Sequence, residues 1–333
     1  MNDAVTPESL TTPGRQSVSI IVPAFNEELA VDPFMAALIP VLTQCTATWQ
    51  IVLIDDGSRD RTIQRWRTHM AKDPRLGLVV LARNAGKEAA LLAGMRHTNS
   101  DALIPIDIDL QDPPELISQF IAHWRAGADQ VVAIRNHRDD PTWRRWAAAA
   151  HYTLLGWSSR VRITPDAGDF RLLDRTVVNR LLAFPEVDRY TKGLYELAGG
   201  RVVTVPFDRP SRSTGQPAQS LPRLISLAID GLTGFSEAPL RLLLPVGISF
   251  CLIGCCYLVY LVIMVMCGKA VPQGYPTLLG FVLIFGGVQT FALGLIGEYA
   301  ARIYREVKRR PPYHISSREG VAKNSSELGS HEA

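Results

Sequence analysis

Two long stretches of this chain, residues 242–267 and 270–297, contain no Asp, Glu, Lys or Arg. A bilayer core about 30 Å thick is crossed by about 20 apolar residues in a helix, and both stretches exceed that. They predict two membrane-spanning helices within residues 241–305, joined by a short turn through residues 268–276; a pair of buried core helices is the alternative. The preceding 240 residues alternate apolar and charged segments in the ordinary way. The chain therefore reads as a soluble domain followed by an anchor. Basic residues set its orientation. Arg223 and Arg241 precede the first stretch and Arg302, Arg305, Lys308, Arg309 and Arg310 follow the second, against Lys269 alone in the turn. That asymmetry predicts that the bulk of the chain and both termini lie on the cytoplasmic side.

Composition removes several classes of function. A formal charge of +3 is too small for a protein that wraps nucleic acid, and no basic run interleaved with aromatics occurs in the first 200 residues. Of five cysteines, Cys251, Cys255, Cys256 and Cys267 fall in the apolar stretch and Cys45 stands alone, so neither a disulfide framework nor a metal knuckle can be drawn. Residues 1–17 lack an apolar run and read as a disordered lead-in, not a secretory signal. Residues 306–333 read as a basic and then disordered tail, of which 316–333 is polar, solvated and without a core to join.

From Val18 onward, short β-branched runs alternate with helical periodicity, the pattern of an α/β domain with a mainly parallel sheet between helices. Strands are predicted at 18–22, 50–54, 76–81, 102–106 and 130–134, each a nearly continuous apolar run of the kind buried on both faces. In such sheets ligands bind beyond the carboxyl ends of the strands. The residues there are polar: Pro-Ala-Phe-Asn-Glu-Glu from Pro23, Asp-Asp-Gly-Ser-Arg-Asp from Asp55, Arg-Asn-Ala-Gly-Lys-Glu from Arg83, and Asp-Ile-Asp-Leu-Gln from Asp107. Any one is explained as a helix cap. Four on one edge are not, because clustered carboxylates repel unless a cation neutralises them. Asp107 and Asp109, two carboxylates at a strand end, are hard oxygen ligands suited to holding Mg²⁺ or Mn²⁺ against a diphosphate.

Segments 19–28, 54–62, 81–94, 107–115 and 168–174, in this order, resemble the family 2 glycosyltransferases, and among them the polyisoprenyl-phosphate subgroup that includes the bactoprenol glucosyltransferases and dolichol-phosphate mannose synthase-like proteins. Residues 294–313, GLIGEYAARIYREVKRRPPY, resemble that subgroup's membrane-exit segment. The resemblance implies a GT-A-like nucleotide-diphospho-sugar transferase domain over 18–220, a juxtamembrane amphipathic helix over 221–240, and a bacterial inner-membrane location. It implies that Pro23, Phe25, Glu27, Ile54, Asp56, Asp107 and Ile108 border the donor nucleotide, and that Asp109 and Gln111 hold the metal. Arg135, Lys192 and Arg212 match phosphate-binding positions. Asp169, with Asp107 and Arg135, takes the catalytic positions. The implied reaction moves one sugar, glucose from UDP-glucose, to undecaprenyl phosphate, with inversion.

One segment departs from the family. After Arg209 and Arg212 the family shows Gly-x-Ser-Lys followed by Tyr or Trp, whereas this chain reads Gly215-Gln216-Pro217-Ala218-Gln219. The loop 208–220 is rich in Pro, Ser, Gly and Arg and suits a lid. For the acceptor, residues 141–161 mix Trp143, Trp146, Tyr152, Leu154, Leu155 and Trp157 with Arg144, Arg145 and Arg160, as an interfacial helix or a core-packing one would. Residues 221–235 are a second surface candidate. Gly280, Gly286, Gly287, Gly294 and Gly297 allow the two spans to pack against each other or against another copy of the chain. Two other functions fit in outline: a processive polysaccharide synthase, whose Gln-x-x-Arg-Trp segment is missing here (Thr142 precedes Arg145-Trp146 in the Gln position), and a non-catalytic nucleotide-sugar-binding or flippase component.

Overall fold

The computed structural model describes residues 16–45, 48–135, 167–186, 189, 191–207, 238–267 and 274–321. The chain divides into two compact units. One is an α/β unit built on a single eight-stranded sheet. In chain order its elements are β1 (Ser17–Ala24), α1 (Val31–Cys45), β2 (Thr48–Asp55), α2 (Thr62–Met70), β3 (Leu76–Leu81), α3 (Lys87–Arg96), β4 (Ala102–Pro105), α4 (Leu116–Arg125), β5 (Gln130–Arg135), β6 (Ala167–Asp174), α5 (Arg175–Ala183), α6 (Thr191–Ala198), β7 (Val202–Phe207) and β8 (Ile315–Glu319). The strand order is β7-β5-β6-β4-β1-β2-β3-β8.

The five expected strands are all present, within two residues of their expected limits. Their continuous apolar runs are buried on both faces. On one side Val18, Ile20 and Val22 of β1 join the apolar stripes of α1 (Phe34, Met35, Leu38, Leu42) and α4 (Ile117, Phe120, Ile121, Trp124). On the other, Ile21 meets Leu91 and Met95 of α3 together with α5 and α6. Close approach of α3 depends on Gly94, where a Cβ would stand 3.0 Å from Ile21 Cγ2.

The sheet is mixed. β1 pairs in parallel with β2 and β4, β2 with β3, and β5 with β7, but β6 runs antiparallel between β4 and β5, and β8 is antiparallel on the β3 edge. β1 to β5 and β7 therefore share one direction, as the mainly parallel reading expects, and β6 and β8 are the two reversed strands. β6 carries Asp169 and a fully buried Arg171, which break its apolar run; β7 is a half-exposed edge although its sequence, Val-Val-Thr-Val-Pro-Phe, is apolar but for Thr204.

The expectation of a wholly solvated tail is also corrected. Ile315–Glu319 pairs with β3, satisfying edge amides and carbonyls that would otherwise be left open. Tyr313, Ile315 and Val321 pack against a cluster that includes Val52, Ile54, Val79 and Leu81, and Gln50 Nε2 donates to the Gly320 carbonyl at 3.0 Å. Gly320 is obligatory there: its φ is +65°, and a Cβ would fall 2.6 Å from the Leu76 carbonyl oxygen. At the other terminus, the Gln16 and Ser17 amides and the Ser17 hydroxyl donate to Asp101 at 3.1, 2.9 and 2.8 Å. Gln16 and Ser17, which fall within the expected lead-in, are thus tied to Asp101.

The second unit contains α7 (Ala238–Met266) and α8 (Tyr275–Lys308), of 29 and 34 residues. Among the described residues no helix is long and apolar enough to cross a membrane; the described side chains are not continuous along either helix. Large apolar side chains that are described, including Leu252, Ile253, Val259, Leu278, Val282 and Leu293, are exposed. The expected helix over 141–161, the loop 208–220 with Arg212, and the segment 221–235 lie outside the described residues.

Candidate active site

In-register pairing of β1 with β2 sets Ala24 beside Asp55, so the first two strand tips open side by side. They are locked by local hydrogen bonds. Asn26, at φ 56°, donates its amide to Ser58 Oγ at 2.9 Å and accepts the Arg59 amide at 2.8 Å. Glu27 donates its amide to Thr62 Oγ1 at 2.8 Å. Asp60 caps α2 by accepting the Thr62 amide, and Glu28 accepts the Arg61 amide. Capping therefore accounts for Asp60 and Glu28.

It does not account for Asp56. This nearly buried carboxylate accepts the Ala85 amide at 2.7 Å and the Gly86 amide at 2.9 Å, one on each oxygen. The β3–α3 loop reaches it because position 57 is glycine: φ is +74°, and a Cβ would stand 2.8 Å from the Arg83 carbonyl carbon. Ile54 and Ile108, by contrast, are core side chains, so any contact they make with a nucleotide is through their backbone.

At the β4 tip, Asp109 turns back to accept the Gln111 amide at 3.1 Å, and Leu110 is left-handed at φ 56°. Asp107 faces Lys87, the first residue of α3. The Lys87 ammonium lies 2.7 Å from Asp107 Oδ1 and 2.9 Å from Asp169 Oδ2, so one cation joins the β4 tip to β6. Burial alone would lower the Lys87 pKa, but Asp107 and Asp169 outweigh it and hold the pKa above the usual lysine value. Glu27 moves the other way for a carboxylate: burial first, then the charges of Asp109, Asp60 and Asp107, push its pKa up. This edge therefore carries a concentrated negative field.

Its donor set fits a divalent cation. The groups are hard oxygens, and Mg²⁺ is ordinarily held by one or two carboxylates with substrate phosphates completing the shell. Among the described residues no cluster of three His, Cys, Asp or Glu side chains that could hold a metal ion is found.

Behind Asp169, Arg171 is 2% exposed, donates to the Gly168 carbonyl at 2.9 Å and lies 3.9 Å from the ring centre of Tyr195 on α6. Burial lowers its pKa. Among the described residues neither Arg171 Nε nor the Tyr195 hydroxyl has a hydrogen-bond partner.

The structure thus brings Asp107 and Asp169 together, with Pro23, Phe25, Glu27, Asp56, Asp109 and Gln111 on adjoining tips. Arg135 closes β5 beyond β6, half-buried. Lys192 is the second residue of α6, and its side chain lies outside the description. Lys87 went unassigned in the sequence although it stands in the polar segment after β3. Its position one residue beyond Gly86 at a strand tip was the available signal.

The family model for glycosyl transferase family 2 matches residues 19–182, and that for the GtrB C-terminal hairpin matches residues 238–303. A bactoprenol glucosyl transferase of Shigella phage SfX is 39% identical over 303 residues, 91% of this chain and 99% of the relative. The chain is a family 2 glycosyltransferase. An uncharacterized glycosyltransferase of Synechocystis is 40% identical over 91% of this chain and 96% of its own length, and a prophage bactoprenol glucosyl transferase homolog of Escherichia coli is 38% identical over 90% and 98%. The glycosyltransferase also matches glucosyl-3-phosphoglycerate synthase of Mycobacterium tuberculosis, crystallised with Mn²⁺, UDP-glucose and glycerol 3-phosphate, at 18% identity and a TM-score of 0.44 over 70% of this chain and 84% of that one. At that distance nothing is carried over from it.

Proposed function

We propose that this glycosyltransferase moves one glucose from UDP-glucose to a polyisoprenyl phosphate at the cytoplasmic face of the bacterial inner membrane, with a divalent metal and inversion at the anomeric carbon. One observation carries the reading above the others. Relatives named bactoprenol glucosyl transferase align with both the α/β unit and the hairpin, at 38–39% identity over 90–91% of this chain.

The strand tips supply roles that fit. Phe25, 42% exposed, offers a ring face to the base beside Glu27 and the rigidly held Asp56. Asp109 and Gln111, with Asp107, are the residues that would hold Mg²⁺ or Mn²⁺, which when bound supplies Lewis-acid stabilisation to the departing diphosphate. Lys87 adds a protein cation at the same edge. A phosphate monoester has its second pKa near about 6 and is largely ionised at neutral pH, so its oxygen attacks the anomeric carbon without a strong base. As that bond forms, the bond from carbon to the UDP oxygen breaks and its electron pair leaves on the β-phosphate. Asp169 then serves to orient, held by Lys87 and backed by Arg171. Keeping attacking oxygen and carbon aligned is a large part of the work. Arg135, Lys192 and Arg212 are placed in the role of neutralising phosphate charge, a task suited to guanidinium and ammonium groups.

Two features support a membrane hairpin. A 29-residue helix is about 44 Å long at 1.5 Å per residue, a length comparable with the thickness of a bilayer, and the exposed apolar side chains described on it call for apolar surroundings. After both helices the chain rejoins the sheet as β8, as an even number of crossings requires.

The test is transfer by the purified full chain in detergent, with undecaprenyl phosphate, Mg²⁺ or Mn²⁺ and radiolabelled UDP- and GDP-sugars, scored as label in the organic phase. Label from UDP-glucose, abolished by a chelator, is the expected result. Label from another donor corrects the sugar, and no label from any donor overturns the reading.

A further inference from the structure

Lys87 is followed by a second charge, half-buried, that the transfer chemistry above leaves unused. Glu88, in the first turn of α3, accepts hydrogen bonds from the Thr191 hydroxyl and, at 3.3 Å, from the Thr191 amide. Thr191 opens α6 and is 5% exposed. Burial first pushes the Glu88 pKa up, against the bonds from Thr191; such a group stays in place only where its partner is fixed. A carboxylate at the first amides of α6 also meets the positive end of that helix's dipole. One turn further along, Tyr195 packs on Arg171, two residues from Asp169. Thr191 and Tyr195 are four apart and share a helix face. Gln130 donates to the Tyr195 and Gly199 carbonyls at 3.0 and 2.9 Å and Arg180 to the Ala198 carbonyl at 3.0 Å, so the far end of the short α6 is tied to the core; Glu88 is what ties its start, and Arg171 packs on it behind the site.

We propose that Glu88 is a positioning residue for sugar transfer, fixing the start of α6, and with it the segment carrying Lys192, against the Asp107–Lys87–Asp169 cluster. The adjacent residues Lys87 and Glu88 then do complementary things. One grips β4 and β6; the other grips α6. Because they share one helical turn, α6 is registered against the carboxylates without itself lining the β1–β2 tips proposed to seat the nucleotide. The proposal rests on reading that cluster as the transfer site.

The experiment compares Glu88→Ala, Glu88→Gln, Thr191→Val and the Glu88→Ala/Thr191→Val double variant of the full chain in detergent. Each is scored for donor KM, kcat with undecaprenyl phosphate, and hydrogen–deuterium exchange of the 191–195 amides. Misplacement by about 1 Å costs up to about a hundredfold in rate. Glu88→Ala and Thr191→Val are expected to lower kcat about tenfold or more, keep donor KM within about twofold, and speed exchange at 191–195. Glu88→Gln, which keeps a carbonyl acceptor, is expected to restore kcat to within about threefold, and the double variant to be no worse than either single one.

Wild-type kcat in Thr191→Val, a raised donor KM with kcat intact, or a Gln variant as impaired as Ala each overturns the proposal. Should Glu88→Ala not fold, Thr191→Val and Glu88→Gln decide it alone. If the unaltered chain transfers no sugar, the function reading fails. The exchange comparison still judges the Glu88 tie separately, and unchanged exchange at 191–195 overturns it.

Discussion

Asp56 and Asp107 sit at the ends of neighbouring regions of one sheet, and they are held in opposite ways. Asp56 is fixed by two backbone amides of a loop that a glycine lets approach. Asp107 is held by a lysine side chain shared with Asp169. Backbone donors cannot leave without unfolding the loop, whereas an ammonium on four methylenes can turn toward a phosphate. The β1–β2 tips are thus a preformed seat. The β4–β6 edge is a set of charges whose internal pairings can be exchanged for substrate.

The comparison breaks most readily at Lys87. Lys87→Met is expected to lower transfer about a hundredfold, in the range seen when a preorganised charge-stabilising group is lost, while thermal melting changes little. Lys87→Arg should fall between, because the charge remains and the geometry does not. Equal activity in Lys87→Met would show that the cation is dispensable. On the preformed side the balance should reverse. Asp56→Asn turns an NH₂ toward one of the two amides, and is expected to raise donor KM about tenfold and to cost about 1–3 kcal/mol in denaturant unfolding. Gly57→Ala forces a left-handed backbone and a 2.8 Å contact with Arg83. Its expected loss of about 1–3 kcal/mol is sharpened if donor KM rises in step. The smallest effect belongs to the fork between Arg67 and Glu319, 2.6 Å at its shortest but with side chains 52% and 36% exposed. Arg67→Ala should cost no more than about 1 kcal/mol, leaving transfer untouched.

What was legible in the sequence follows the same physical line. β1 to β5 could be read because strands buried on both faces need unbroken apolar runs. β6 could not, since Asp169 and Arg171 interrupt its pattern for the sake of the site. β8 is an edge whose Ile-Ser-Ser-Arg-Glu carries no strong period, whereas β7, Val-Val-Thr-Val-Pro-Phe, carries an apolar run that was available to be read. The acidic tips were legible because they follow strands in a known direction. Lys87 and Glu88 were not: their partners Asp107, Asp169 and Thr191 lie 20 to 103 positions away, and only the sheet order brings them together. Ile54 and Ile108 show the converse. Proximity in sequence to a tip does not turn a core side chain outward.

The return of the chain as β8 makes the helix pair an insertion within a domain, not an appendage to it. A protein shortened after Phe207 would keep seven strands yet bare the edge of β3, Leu-Gly-Leu-Val-Val-Leu, all six of whose residues are buried. Open apolar edges of that kind recruit other strands. A form without the helix pair therefore calls for excision, with the two helices replaced by a flexible bridge and residues 310–321 retained, since deletion from the carboxyl end would trade a covered sheet edge for an aggregating one.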